Sequence, residues 1–289
     1  MIEYKYFFGN CSLSIQSENH IVEEQSFQIF RRDGREQIKC KICFLSCENL
    51  PSCEGKDYVK EKDVPYSEYL NEGEYIRTFH GLAGGEPYAL LKKENERTWL
   101  CFYREDYSRY FKTMNEYFSH IALERILLDQ DAVILHASFI RFQKAGILFT
   151  GVSGAGKSTQ AELWQKYEKA EILNGDKTIL KKMNRTWMGF GSPYAGSSKI
   201  WKNDNVRIKA IVALGKSVSQ NECKRLTGGK AFSVIYAGMI MNTWNSEYME
   251  KITEIIRDIS IEIPVFYLNC KVEKEAVECL KECLEKLEN

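Results

Sequence analysis

The chain has 289 residues, of which 44% are hydrophobic and 12% aromatic, enough for one large or two medium folded domains. Its 40 Lys and Arg residues balance its 40 Asp and Glu residues, which argues against broad electrostatic binding to nucleic acid or an anionic membrane. An apolar run of membrane-spanning length and the layout of a secretion signal are both missing, so the sequence predicts a cytoplasmic protein without a transmembrane helix.

The ten cysteines raise the question of a metal site or of disulfides. Four of them lie close together early in the chain, at Cys40, Cys43, Cys47 and Cys53. Only Cys40 and Cys43 have the C-x-x-C spacing of a zinc site, and no second pair follows. We therefore predict reduced thiols, with a structural zinc as the alternative.

The first part of the chain carries no nucleotide-binding signature. Its apolar or alternating segments at residues 27–30, 39–45 and 98–103 have the length and composition of strands. The polar stretch 46–74 between them predicts a mobile loop. We therefore predict a mostly β accessory domain over residues 1–112, with substrate recognition as its working role.

A helix is predicted at the start of the second domain, which spans residues 113–289. Thr113 and Glu116 have the spacing of a capping box, and apolar residues then recur at helical spacing as far as Ile126. We expect this helix to connect the two domains.

Residues 151–158 read Gly-Val-Ser-Gly-Ala-Gly-Lys-Ser, which fits the phosphate-binding loop pattern G-x-x-x-x-G-K-[ST] in full. A strand is predicted before the loop at 146–150, and a helix after it at 160–166, which is the setting that the motif requires. Lys157 would reach toward the β- and γ-phosphates, and Ser158 would present its hydroxyl to Mg²⁺. The residues predicted to bind the nucleotide are Gly151, Ser153, Gly154, Ala155, Gly156, Lys157, Ser158 and Thr159.

Two further side chains are candidates for the same site. Asp176 ends the segment 172–176, which follows the predicted helix, and a strand-end carboxylate there would face the bound metal. His136 lies between predicted strands at 132–135 and 139–142, and a hairpin would bring it near the phosphates. The alternatives are an ordinary turn aspartate and a structural histidine.

The remaining segments complete a predicted mixed fold. Residues 189–199 are rich in glycine and predict a lid or acceptor-binding loop, with a surface turn as the alternative. Further strands are predicted at 179–180, 208–214 and 265–268, and helices at 251–261 and 273–287.

The order of these features resembles the catalytic domain of the HPr kinase/phosphorylases. The resemblance spans about residues 130–215 and depends on His136, the Gly-x-Ser-Gly-x-Gly-Lys-Ser core of residues 151–158 and the acidic strand end at Asp176. It implies the β-rich P-loop fold shared with phosphoenolpyruvate carboxykinase. The expected class is therefore α/β, with a mostly β amino-terminal domain before this P-loop domain.

Shorter motifs resemble one branch of this group more closely, the HPr-kinase-like peptide serine kinases of lasso-type peptide gene clusters. These motifs are Leu-His-Ala-Ser at 135–138, Leu-Trp at 163–164, Asn-Gly-Asp at 174–176 and Gly-x-Pro-x-x-Gly-Ser-Ser at 191–198. The branch implies an ATP- and Mg²⁺-dependent kinase that phosphorylates a Ser or Thr hydroxyl of a peptide or small protein, such as a natural-product precursor or an HPr-like protein.

The resemblance also implies roles for individual residues. Lys157 and Ser158 would bind the triphosphate and Mg²⁺, Asp176 would act as a metal ligand or base, and His136 would support catalysis. The catalytic candidates are thus Asp176, His136 and Lys157, and the metal candidates are Ser158 and Asp176. Gly175 stands where the HPr kinase/phosphorylases have a second acidic residue, which leaves the division between base and metal ligand open.

Other functions are compatible with the same residues. One is a kinase for a small metabolite such as free serine, and another is a nucleotide-binding regulatory or peptide-recognition module with little turnover. A GTPase is disfavoured because the chain has no Asn-Lys-x-Asp motif. The expected partner is a peptide or small-protein acceptor, without nucleic acid or membrane, and the sequence is compatible with a homo-oligomer.

Overall fold

The computed structural model divides the chain into two compact units, Met1–Ile126 and Leu127–Asn289. The sequence predicted the boundary at 112/113. The structure places it later, because the helix that follows Thr113 packs into the core of the first unit. Within the described residues, no helix is long and apolar enough to cross a membrane. The described residues are 1–34, 37–53, 57–59, 65–71, 74–81 and 85–287.

The first unit is built on one sheet. Its strands are β1 (Ile2–Phe8), β2 (Cys11–Ser17), β3 (Cys40–Cys47), β4 (Asp57–Val59), β5 (Tyr66–Asn71), β6 (Glu74–Phe79), β7 (Ala89–Asn95) and β8 (Thr98–Arg104). In the described residues the sheet has eight strands, in the order β1-β2-β3-β8-β7-β6-β5-β4. Strand β3 pairs in parallel with β2 and β8, and the other neighbouring strands pair antiparallel.

The predicted strands at 39–45 and 98–103 are confirmed as β3 and β8. The predicted strand at 27–30 is wrong, because this segment begins in a short helix, α1 (Gln25–Gln28). Phe27 and Phe30 are both buried, and their spacing of three places both rings on one side of a helical turn.

The predicted mobile loop at 46–74 is also wrong where the structure describes it, because β4 and β5 lie within it. Glu68 of β5 is buried, and its Oε1 lies 2.7 Å from Nη2 of Arg77 on β6. This ion pair offsets the cost of burying the Glu68 carboxylate in the sheet. The polar composition of the stretch alone therefore did not predict a strand. The remaining residues of this stretch, 54–56, 60–64 and 72–73, lie outside the described residues.

The capping box at Thr113 is confirmed, with the Thr113 amide donating to Glu116 Oε2 at 2.8 Å. The predicted single helix is instead two short helices, α2 (Met114–Ser119) and α3 (Leu123–Leu128). The break follows from His120, whose Nδ1 bonds to the Glu116 carbonyl at 2.7 Å.

Aromatic packing holds α2 on the first unit. The Tyr117 ring lies 4.5 Å from that of Phe44 on β3, and the Phe118 ring lies 5.4 Å from that of Tyr6 on β1. All four rings are buried, so this helix belongs to the core of Met1–Ile126 and not to the second unit.

The second unit contains a mixed sheet and four longer helices. The strands are β9 (Ala132–Phe142), β10 (Ala145–Thr150), β11 (Glu171–Asn174), β12 (Lys177–Met183), β13 (Thr186–Phe190), β14 (Asn205–Lys216), β15 (Glu222–Leu226), β16 (Met239–Ile240) and β17 (Val265–Cys270). The helices are α4 (Lys157–Glu168), α5 (Gly228–Gly238), α6 (Ser246–Glu262) and α7 (Lys274–Glu285).

The strand pairings of the second unit form a closed circuit. β10 pairs antiparallel with β9. The antiparallel pairs β9–β12, β12–β13 and β13–β14 follow, and β14 then pairs in parallel with β10. β17 adds to β14 in parallel, while β11 and β16 pair with β9. The phosphate loop therefore leaves a strand that is hydrogen-bonded on both edges.

Successive residues of these strands face two different cores. Phe139 packs in one apolar cluster with α5 and α6, whereas the next residue, Ile140, packs in another with α4 and α7. The same alternation separates Leu148 from Ile147 and Phe149 on β10. Helices thus cover both faces of the sheet around the strand that carries the loop.

Most predictions for the second unit are confirmed, and with them the α/β class. The strands at 146–150, 179–180, 208–214 and 265–268 and the helices at 160–166, 251–261 and 273–287 are all present, with shifted ends. The two strands predicted around His136 are one continuous strand, β9, and residues 189–190 belong to β13.

The cysteines are free thiols throughout. Cys40 and Cys43 both lie in β3, where their side chains are buried. Across the parts of the chain that the structure describes, no group of three or more His, Cys, Asp or Glu side chains could hold a metal ion.

Candidate active site

The predicted phosphate loop lies between β10 and α4. Gly154 and Gly156 have φ values of 76° and 99°, a region that side chains disfavour, and a Cβ at either position would meet no atom within 4 Å. The backbone is therefore bare on its open side. Helix α4 begins at Lys157, so its first amides and the positive end of its dipole face the same side.

Lys157 is held against the loop itself. Its Nζ donates to the Gly151 carbonyl at 3.1 Å, and only 8% of the residue is exposed. Burial lowers the pKa of the ammonium, and the nearby Asp176 carboxylate opposes this effect. The amine is thus held at the floor of the loop by the Gly151 carbonyl.

Asp176 and His136 meet through two neighbouring strands. Lys177, the first residue of β12, lies opposite His136 on β9, and the Ala137 amide donates to the Asp176 carbonyl at 2.8 Å. This pairing brings His136 Nε2 to 3.0 Å from Asp176 Oδ1. The two side chains keep 38% and 26% of their surface exposed, so both remain accessible.

The surroundings of His136 favour a neutral imidazole. Burial lowers its pKa first, and the positive charges of Lys157 and Lys177 lower it further. The Asp176 carboxylate raises it, but the net shift is downward. We assign the proton to Nε2, because a neutral ring can then donate to Asp176 Oδ1.

An open cavity of about 290 Å³ connects the loop with this pair. Its lining consists of His136, Ser153, Gly154, Gly156, Lys157, Ser158, Thr159, Gly175, Asp176 and Ser197. The structure therefore brings together the three catalytic candidates and both metal candidates. Gly151 and Ala155 do not line this cavity. They lie close to each other within the loop, because a Cβ on Gly151 would come within 3.1 Å of Ala155 Cβ.

Steric packing explains why position 175 is a glycine. A Cβ there would overlap the Ser198 hydroxyl and would lie 2.6 Å from Ser198 Cβ and 2.9 Å from the Ala195 carbonyl oxygen. A short 3₁₀ turn, Gly196–Ser198, occupies this space. The segment 189–199 thus closes over the position where the HPr kinase/phosphorylases would have a second acid.

Sequence reasoning missed several polar residues that shape the site. The buried Ser138 hydroxyl donates to the Gly175 carbonyl at 2.9 Å, and the buried Thr150 hydroxyl donates to the His136 carbonyl at 3.1 Å. Asn174 and Ser192 are also buried and bond to the turn around Asp176. The available signal was a polar residue inside an otherwise apolar strand, which requires a hydrogen-bond partner.

The residues present fit a magnesium ion bound together with a nucleotide. Ser158 and Asp176 line one cavity and supply a hydroxyl and a single carboxylate. Mg²⁺ typically takes one or two carboxylates and completes its octahedron with phosphate oxygens and water, so a larger acidic cluster is unnecessary.

Comparisons with protein-family models and with curated proteins give no match. Among solved structures, the chain is similar to the Hpr(Ser) kinase/phosphatase from Coxiella burnetii. The sequence identity is 15% and the TM-score 0.24, and the match covers 45% of this chain and 91% of that one. These values describe a distant structural similarity that assigns no activity, so function must be inferred from the residues of the cavity.

Proposed function

We propose that the protein is an ATP- and Mg²⁺-dependent kinase that phosphorylates a Ser or Thr hydroxyl of a peptide or small protein. One observation supports this above the others. The Asp176–His136 pair lines the same cavity as Lys157 and Ser158, so a candidate proton acceptor lies beside a phosphate-binding loop.

On the donor side, the loop would bind the triphosphate. Backbone amides at the start of α4 would donate to phosphate oxygens, and Lys157 would leave the Gly151 carbonyl to reach the β- and γ-phosphates. Ser158 would hold Mg²⁺ through its hydroxyl, and Asp176 is the carboxylate that would join it in the alternative in which Asp176 is a metal ligand and not the base. When bound, the ion would neutralise charge on the phosphates.

On the acceptor side, Asp176 would take the proton of the attacking hydroxyl. His136 would donate its Nε2 proton to Asp176 Oδ1 and keep that oxygen in place, so that the other carboxylate oxygen is available to the acceptor. The acceptor oxygen bonds to the γ-phosphorus, the bond from that phosphorus to the leaving ADP oxygen breaks, and the proton moves to the carboxylate.

The acceptor is proposed to be a peptide because the motifs around Asn174–Asp176 and residues 191–198 resemble those of peptide serine kinases. Recognition of that peptide is proposed for the first unit, Met1–Ile126, which has a sheet and aromatic core of its own. Free serine is the small-molecule alternative, and only the acceptor distinguishes the two kinases.

The experiment is phosphoryl transfer from γ-labelled ATP with Mg²⁺ to three acceptors: serine-containing peptides, an HPr-like protein and free serine. We expect label on one of them with the wild-type protein and none with Asp176→Asn. A wild-type protein that binds ATP but labels no acceptor would contradict the proposal.

A module that binds nucleotide with little turnover is the second candidate. It is favoured by the single carboxylate of the site, because Ser198 fills the space next to Gly175. This alternative predicts that Asp176→Asn leaves the protein's function intact, whereas a kinase should lose orders of magnitude in rate.

A further inference from the structure

Asn174 is the last residue of β11 and is completely buried. A buried amide needs partners for its oxygen and for both of its N–H groups. The partners of the Asn174 side chain lie in two segments, the turn that carries Asp176 and the segment at 192–194.

The oxygen of Asn174 fixes the turn that carries Asp176. Oδ1 accepts hydrogen bonds from the Asp176 amide and the Lys177 amide, both at 2.9 Å. Such a side-chain bond to the backbone two residues ahead is the Asx turn, which sets the backbone direction at the intervening residues. The Asp176 Cα is therefore held from one side by the residue that precedes the turn.

The nitrogen of Asn174 fixes the opposite segment. Nδ2 donates to the Ser192 carbonyl at 2.9 Å and to the Tyr194 carbonyl at 3.0 Å. Ser192 makes a further bond between the two segments, because its hydroxyl donates to the Lys177 carbonyl at 2.5 Å. One buried amide thus joins the Asp176 turn to the segment that leads into the Gly196–Ser198 turn.

That second segment lies close to the Asp176 side chain. A Cβ at Gly196 would lie 3.0 Å from Asp176 Cβ and 3.1 Å from its Cγ, so the backbone at Gly196 forms one wall of the Asp176 side chain. Ser197, the next residue, lines the cavity itself. A shift of either segment would therefore move the carboxylate relative to His136.

We propose that Asn174 is a positioning residue for phosphoryl transfer: its amide holds the Asp176 turn and the 192–198 segment in one register, so that the Asp176 carboxylate faces both His136 and the phosphate loop. This inference rests on the proposed kinase function. Asn174 is buried and does not line the cavity, so it would act through Asp176 and not on the donor or the acceptor directly.

The two halves of the amide make separable contributions. Asn174→Ala removes both, whereas Asn174→Asp keeps the acceptor for the amides of Asp176 and Lys177, loses the donors to Ser192 and Tyr194 and places a carboxylate oxygen against their carbonyl oxygens. Two backbone N–H donors favour the charged form of a buried carboxylate, so the Asp variant can retain the turn.

Asn245 provides a matched control. It is a buried asparagine of the same unit, and its Oδ1 accepts from the Tyr248 amide at 2.8 Å as the cap of α6. Asn245→Ala removes a comparable buried hydrogen bond without touching the Asp176 turn. Its effect measures what loss of fold stability alone does to the rate.

The test measures kcat and the KM for ATP in Asn174→Ala, Asn174→Asp and Asn245→Ala, together with amide exchange at Asp176 and Lys177. We expect Asn174→Ala to lower kcat roughly 100-fold, the scale of a small displacement of a reacting group, with the KM for ATP changed less than about threefold. Asn174→Asp should recover part of kcat, and Asn245→Ala should leave both constants close to wild type.

Amide exchange keeps the inference testable without turnover. The amides of Asp176 and Lys177 should exchange faster in Asn174→Ala and remain protected in Asn174→Asp. Unchanged exchange in Asn174→Ala overturns the inference, as does a wild-type kcat in that variant, or an equal loss of kcat in Asn245→Ala. If the wild-type protein transfers no phosphoryl group but the variants show the expected exchange, the kinase function is overturned and the role of Asn174 in holding the Asp176 turn stands.

Discussion

His136 Nε2 lies 3.0 Å from Asp176 Oδ1, although the phosphate loop and helix α4 separate the two residues in the chain. The contact results from backbone pairing, because Lys177 lies opposite His136 and the Asp176 carbonyl accepts from the Ala137 amide. Strand pairing next to the Asp176 turn therefore brings the two side chains together.

Asp176→Asn should lower kcat by roughly 100- to 10,000-fold, because an amide cannot take the proton of the acceptor hydroxyl. His136→Ala should cost less, about 10- to 100-fold, since it removes only the group that orients Asp176. Steady-state kinetics with the identified acceptor give both values. Equal losses of kcat in the two variants would contradict the assignment of Asp176 as the base and of His136 as the residue that orients it.

Lys157→Ala should weaken ATP binding and abolish transfer, because the loop loses the charge that contacts the terminal phosphates. Lys144→Ala is the matched control, as it removes an exposed lysine from the turn at the other end of β10. Titration with a fluorescent ATP analogue measures the affinities. Similar affinity in the two variants would show that the loop is not the nucleotide site.

Gly175→Ala should destabilise the protein by about 1–3 kcal/mol, because the added Cβ overlaps the Ser198 side chain. Ser198→Gly should rescue much of this loss in the double variant, and a thermodynamic cycle measures the coupling between the two positions. Gly229→Ala is the control, since a Cβ there meets no atom within 4 Å. Additive effects of the two substitutions would rule out the steric explanation.

Folding of the first unit should weaken as the pH falls below about 6.5 because of His120. Burial lowers the pKa of this imidazole below its ordinary value of 6.5, so the unfolded chain binds the proton more tightly than the folded one. Its contribution is complete above pH 6.5 and is lost as the pH falls toward the lowered pKa.

Urea denaturation of wild type and His120→Gln at about pH 5.5 and about pH 7.5 tests this. The variant should be less stable at the higher pH, because it loses the bond of His120 Nδ1 to the Glu116 carbonyl, and its stability should change less with pH. The same pH dependence in both proteins would assign the effect to other groups.

The loop and its flanking elements could be predicted because each has a local signal. The pattern of residues 151–158 and the apolar run before it identify a strand, a turn and a helix without information from the rest of the chain. His136 and Asp176 were likewise found from their order relative to the loop. Their roles remain predictions, whereas their shared cavity is a property of the structure.

The remaining features depend on contacts between distant residues. The polar sequence around Glu68 predicts a loop, and only the ion pair with Arg77 explains its place in a strand. Likewise, Gly175 is explained only by Ser198, which occupies the space beside it. Helix α5 was missed because glycines lie at both of its ends, and the predicted helix after Thr113 stops where the His120 side chain takes the Glu116 carbonyl.

Strand β9 is bonded to β10 and β11 beyond His136 and to β12 and β16 before it. The imidazole therefore projects from the most heavily paired strand of the unit, whereas the Asp176 side chain lies against a single 3₁₀ turn, Gly196–Ser198. Substitutions in that turn would consequently displace the carboxylate of the pair while the imidazole stays in place.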